Sequence, residues 1–248
     1  MNPHICRTFL VFLFISGLIG SAQEPTPKRE YLSPQNWSKL KTGDIVFIRS
    51  RSVNAALIAA LSNIAAQADA DDVFTHCGIV FVDQVDGRLK VYEGAGRGRY
   101  LTLNEWRAAE SKGTVNGKQT SDIHNVYVRR WNGQPSLESS LPKILEKAKL
   151  LHNTTYDQGF SWSDDHAYCS ELVWKSYQAG GLSFGTLPTM SHYVDAVPTA
   201  IAQQIKAKLE AAKAGFRHGK GSDPNESAVS PEDIFRSPHL MAITDTSS

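Results

Sequence analysis

Cysteine is scarce in this chain, with three in 248 residues. A disulfide-stapled small domain is shorter and far richer in cysteine. An excess of one charge is missing too: 26 basic and 25 acidic residues leave a formal net charge of +1. With no dense basic stripe, nothing indicates a nucleic-acid partner. Long apolar runs are also absent. The most apolar stretch, Phe9 to Ile19, has 11 residues, whereas a membrane-spanning helix takes about 20. Mean hydropathy is −0.30, which excludes a polytopic membrane protein. At 41% apolar and 21% charged residues, the chain is not disordered by composition either. It is long enough to bury a core as one large domain or two small ones.

Residues 1–22 read as a secretory signal. Arg7 gives a positive start, Phe9 to Ile19 an apolar middle, and Gly20-Ser21-Ala22 a small-residue cleavage site. The expected location is therefore outside the cytoplasm, periplasmic or extracellular, with no stable membrane span after cleavage. Cleavage removes Cys6 and leaves Cys77 and Cys169. These two either pair as a disulfide, as exported proteins allow, or comprise one reactive thiol and one small buried side chain. The proline-rich residues 23–37 read as a linker, and 38–248 as the folded domain.

The turn Leu40 to Asp44 feeds a short buried strand, Ile45 to Ile48. Apolar spacing predicts a helix over 53–67. Phe74 to Val82 and Leu89 to Glu93 read as two strands of a hairpin. A strand at Tyr100 to Leu103, a helix over 104–111, a polar loop over 112–122 and a strand over 125–131 follow. Helices are predicted over 137–151, 169–179 and 194–214, and a short one opens at Ser230-Pro231-Glu232-Asp233. Hairpins outnumber strand–helix–strand alternation, so the fold class is α+β with an antiparallel sheet packed against helices.

Three residues carry the candidate chemistry. Cys169 falls in the first turn of a predicted helix. Unpaired N–H groups and the helix dipole there lower a thiol's pKa and favour the nucleophilic thiolate. His76 opens a strand, and because side chains alternate, it should face away from Cys77. Only one of the two could then point at a given site. Glu93 ends the returning strand. A four-residue loop, Gln84 to Gly87, would pair Asp83 with Arg88 and make Glu93 a diagonal neighbour of His76 on one face; a two-residue Asp86-Gly87 loop would slide the two further apart, and an odd-length loop would put them on opposite faces. A thiolate to attack a carbonyl, an imidazole to move the proton and a carboxylate to orient the ring form a catalytic set.

The segments Leu40–Phe47, Thr75–Val80, Val91–Gly94, Tyr156-Asp157 and Tyr168–Trp174, in this order, resemble the YiiX-like permuted papain-like cysteine amidases of the wider NlpC-type hydrolase superfamily. Ser230 to Leu240 resembles that family's closing segment. The resemblance implies a circularly permuted papain-like fold. It puts the nucleophile on Cys169, the base on His76 and the orienting acid on Glu93. Cys77 departs from the apolar residue expected beside the base.

Weaker candidates for substrate or oxyanion contact are Tyr168, Tyr156 and Arg97. Gly94-x-Gly96-x-Gly98 is one residue short of a dinucleotide fingerprint and opens no helix. His166 with Asp164, Asp165 and Cys169 lacks the second ligand pair of a metal motif. No cofactor or metal is therefore expected. The expected function is an exported cysteine hydrolase acting on an amide bond in a peptide or acyl-amide substrate, possible sources including the cell wall. The alternatives are a non-catalytic module bridged between Cys77 and Cys169, or a thioesterase or acyltransferase using the same triad.

Overall fold

The computed structural model describes residues 29–49, 73–94, 98–115, 118–120, 124–157, 159–195, 203, 207 and 225–247. The signal segment, the helix expected over 53–67 and most of the one expected over 194–214 lie outside the described residues.

The strands are β1 (Ile45–Ile48), β2 (His76–Val82), β3 (Leu89–Tyr92), β4 (Leu101–Thr102), β5 (Gly113–Val115), β6 (Lys118–Thr120), β7 (Tyr127–Trp131), β8 (Thr155–Tyr156), β9 (His166–Ala167) and β10 (Leu240–Ile243). The α-helices are α1 (Leu103–Ser111), α2 (Leu137–His152), α3 (Cys169–Ala179), α4 (Met190–Asp195) and α5 (Pro231–Phe235). Six strands form one antiparallel sheet in the order β10-β7-β1-β2-β3-β4. The architecture is the α+β arrangement expected.

β1 lies inside the sheet and is buried at every residue. Its alternation splits the core in two. Ile45 and Phe47 join Cys77, Ile79, Ile144, Leu172 and Val173 on the face covered by α2 and α3. Val46 and Ile48 join Val80, Val91, Leu103 and Trp106 on the face covered by α1. The turn before β1 is held by Asp44, wholly buried, which accepts both Nε and Nη2 of Arg130 at 2.7 Å.

Three expectations change. The loop expected over 112–122 contains the β5–β6 hairpin. β10, a strand with no counterpart in the sequence reading, pairs with β7 at the sheet edge. The last part of the expected linker belongs to the fold: Leu32 is buried and bridges Val126, and Trp37 is buried in a 3₁₀ turn, Pro34–Lys39. Pro34, one of the prolines that mark a linker by composition, starts that turn, where its fixed φ suits it.

Candidate active site

The hairpin register decides where Glu93 falls. Asp83 N–H donates to Arg88 O at 2.9 Å, closing the four-residue loop. Ile79 then faces Tyr92 and Val80 faces Val91, so Glu93 lies just beyond β3, diagonal to His76. His76 Nε2 is 2.9 Å from Glu93 Oε2. Trp106 Nε1–H donates to the same oxygen at 2.7 Å, and its indole stacks on the His76 ring with centroids 5.5 Å apart. Behind the carboxylate, His152 Nδ1 lies 2.9 Å from the Glu93 carbonyl oxygen. Burial keeps the His152 pKa below its usual value, so that ring stays neutral.

A second carboxylate, Glu110, reaches the same imidazole, with Oε1 3.8 Å from His76 Nε2. Trp106 and Glu110 sit one turn apart on α1, an i, i+4 pair on one face. Sequence reasoning missed both. Their spacing was readable, but what that helix face covers was not.

Cys169 opens α3 with Tyr168 as its N-cap. Two contacts fix the start of this helix. Gly94 abuts it so closely that a Cβ there would sit 2.8 Å from Ala167 O and 2.9 Å from Cys169 N. From the other side, Ser170 Oγ–H donates to Val229 O at 2.7 Å and Val229 N–H donates to the Tyr168 phenol oxygen at 3.1 Å. The closing segment thus braces the helix. Tyr168 is buried, and its phenol reaches the chain at Val229.

The sulfur lies where β3 has peeled away from β2. Val80 N–H bonds Asp44 O on the β1 side, so by alternation Cys77 N–H points to the β3 side. Beyond Tyr92 no β3 residue pairs with that stretch, and the Cys169 sulfur accepts the Cys77 N–H instead. The Cys77 thiol is the largest influence holding the Cys169 pKa well below its usual value; burial opposes it, and the His76 charge and hydrogen bond add to it. Burial pulls His76 down, but the Glu110 charge, the Cys169 charge and the hydrogen bonds to Cys169 and Glu93 outweigh it, so the imidazole titrates well above its usual range. Burial and the Cys169 thiolate push Cys77 up. These directions all favour a thiolate–imidazolium pair with a neutral thiol alongside.

One expectation is corrected here. His76 and Cys77 do face opposite sides of β2, yet both serve the same sulfur, because Cys169 meets the strand at its end. Both cysteines are free and buried.

The remaining candidates separate. β8 pairs in parallel with β9, setting Tyr156 beside Ala167. Tyr156 is half-buried. Burial, followed by the charges of Cys169 and Glu110, pushes its phenol pKa well up, so it stays a neutral O–H donor near the sulfur. Asp157 accepts Gly159 N–H at 2.7 Å and Ser161 N–H at 2.6 Å, shaping the loop after Tyr156. Arg97 lies outside the described residues. His166 bonds the Thr155 hydroxyl. Where the sequence offered no metal motif, the fold assembles His76, Glu93 and Glu110, whose donor atoms lie within 4.8 Å of one another.

A family model described as "Permuted papain-like amidase enzyme, YaeF/YiiX, C92 family" matches residues 39–244. The chain belongs to this family. It is 32% identical over 204 residues to "Uncharacterized protein YiiX" of Escherichia coli K12, covering 82% of this chain and 85% of that protein. A crystal structure of YiiX from Escherichia coli O157:H7, described as a metalloprotein, matches with a TM-score of 0.59 at 31% identity, covering 82% of this chain and 96% of that one. The fold is thus the permuted papain-like one, and the chain is of the cysteine hydrolase kind. Among the described residues, no helix is long and apolar enough to cross a membrane.

Proposed function

We propose that this chain is an exported cysteine amidase that cleaves an amide bond in a peptide or acyl-amide substrate, with cell-wall peptides a plausible source, through an acyl-thioenzyme on Cys169. The observation that carries this reading is the Cys169–His76–Glu93 arrangement, with His76 Nε2 2.9 Å from Glu93 Oε2 and the thiol's pKa held low by Cys77 and His76.

With Nε2 engaged by Glu93, Nδ1 is the ring nitrogen left for the sulfur. The thiolate attacks the carbonyl carbon and the C=O electrons move to oxygen. That oxyanion is met by the Cys169 N–H, at the positive end of α3, and by the Tyr156 hydroxyl. The carbonyl re-forms as the C–N bond breaks, and the imidazolium gives its proton to the departing amine. Water then adds to the thioester, losing a proton to the imidazole, and the acid leaves as the thiolate is regenerated. Glu93 keeps one ring tautomer throughout, and Trp106 holds Glu93. Tyr168 acts in this scheme by positioning the helix, through Val229, and not as an oxyanion donor. A thioester substrate, or an acceptor other than water, would use the same groups. Because Cys169 is wholly buried, a substrate reaches it only after a covering group moves.

The test is mass spectrometry of the mature protein after incubation with a cell-envelope extract. An acyl adduct on Cys169, absent from Cys169→Ser, is expected. An adduct on another residue that survives in Cys169→Ser would overturn the assignment.

A second reading, that this chain also holds a metal as the structural relative is described as doing, is favoured by one observation. His76, Glu93 and Glu110 offer a nitrogen and two carboxylate oxygens in one cluster.

A further inference from the structure

We propose that a divalent transition metal held by His76, Glu93 and Glu110 competes with the thiol chemistry for a single atom, His76 Nε2, so that the metal-loaded protein is a latent form of the hydrolase. The latency rests on the amidase reading above; the site itself rests on geometry alone.

One imidazole nitrogen with two carboxylate oxygens is a donor set suited to Zn²⁺ and its neighbours. Tetrahedral Zn²⁺ with bonds of about 2.0–2.1 Å sets its ligand atoms roughly 3.4 Å apart. In the protein, His76 Nε2 is 2.9 Å from Glu93 Oε2 and 3.8 Å from Glu110 Oε1, and the three donors lie within 4.8 Å of one another. Opening the first contact and closing the others takes side-chain movements of about an ångström against that spacing. The ligands stand on three separate elements: β2, the end of β3 and α1. Trp106 supplies the outer support that metal ligands commonly have: its indole N–H binds Glu93 and its ring stacks on His76. The side chains are 10%, 13% and 21% exposed for His76, Glu93 and Glu110. The site is therefore shielded yet open on the Glu110 side.

The competition follows from the two ring nitrogens. In the hydrolase form, Nε2 carries a hydrogen directed at Glu93, and Nδ1 serves the sulfur. Metal coordination takes the Nε2 lone pair, and the Nε2 proton leaves to solvent. The neutral ring then keeps its one hydrogen on Nδ1, facing the Cys169 thiolate, and can give it to a departing amine only by becoming an imidazolate, so proton transfer to the leaving group stalls. Glu93 is withdrawn from the ring to the metal at the same time. Cys169, on the Nδ1 side, is not a ligand.

The test uses the mature protein freed of metal with EDTA. Zn²⁺ is titrated by calorimetry, and acyl-adduct formation on Cys169 from the cell-envelope extract is followed by mass spectrometry with and without Zn²⁺. One equivalent of Zn²⁺ should bind. Affinity should fall about tenfold or more in Glu110→Gln and in the shorter Glu110→Asp, and stay unchanged in Cys169→Ser. Zn²⁺ should slow acyl-adduct formation on Cys169 at least about tenfold in the parent protein, reversibly with EDTA, and not in Glu110→Gln at the same concentration. No binding, binding lost in Cys169→Ser but kept in both Glu110 variants, or equal slowing in Glu110→Gln would overturn the proposal. Zinc binding as expected in a protein whose metal-free form gives no acyl adduct would instead count against the amidase reading and leave the metal site standing.

Discussion

The face of the sheet under α2 and α3 and the face under α1 contribute unequal halves of the site. On the first, the surroundings of Cys169 are largely hydrocarbon, and the sulfur is placed by backbone: the start of α3, the close approach of Gly94 and the brace from Val229. On the second, the imidazole is placed by side chains, Glu93, Trp106 and Glu110. The nucleophile's position is thus a property of packing, and the base's protonation a property of a polar network. Damage to one half should read out as geometry and stability, damage to the other as rate and pH response.

The largest expected effect is Cys169→Ser, which should remove acyl-adduct formation entirely while the melting temperature changes little. On the other side of the sheet, Glu93→Gln should cut turnover by roughly 10²–10⁴-fold through the wrong ring tautomer, with near-parental stability. An unchanged rate would remove Glu93 from the mechanism. Gly94→Ala should show the opposite signature. Its Cβ would sit 2.8 Å from backbone atoms of Ala167 and Tyr168, so a stability loss of about 1–3 kcal/mol by chemical denaturation is expected, with a rate loss following from displacement of the helix. Similar stability to the parent would show that packing at this point is loose.

A pH test separates the halves further. The Cys169 pKa is lowered, with Cys77 the largest cause, and the His76 pKa is raised. The ion pair therefore exists between the two limits. On acidification the thiolate takes a proton and reactivity falls; on alkalinisation the imidazolium loses its proton and leaving-group protonation fails. Alkylation, which needs only the thiolate, should show the acid limb alone, and His76→Ala should move that limb upward because burial remains. A limb unmoved by that change would mean that the imidazole does not control the sulfur. The smallest effect on turnover at neutral pH is expected for Cys77→Ala. It removes the thiol that most lowers the Cys169 pKa and keeps only the weaker backbone N–H, so the acid limb should rise by at least as much as in His76→Ala; a smaller rise would give the imidazole the larger part.

Legibility divided along the same line. Cys169 could be read because a thiol in the first turn of a helix has a physical meaning, and Glu93 because a four-residue loop fixes which residues of a hairpin share a face. Trp106 and Glu110 could not be read. Their i, i+4 spacing announces a common helix face, but docking against β2 and β3 is a tertiary fact. Strand alternation, correctly applied, still misled about Cys77, since it says where side chains point and not where a neighbouring chain ends. The segment after Ser230 was recognised only by resemblance; its work, bracing Tyr168 and Ser170, depends on contacts some 60 residues apart in the chain.

β10 has a consequence for how the molecule comes into being. The strand that completes one border of the sheet is made of Leu240 to Ile243 and pairs with residues synthesised more than a hundred positions earlier. Until that late stretch is made, the β7 border of the sheet lies open, and closing it joins segments more than a hundred positions apart.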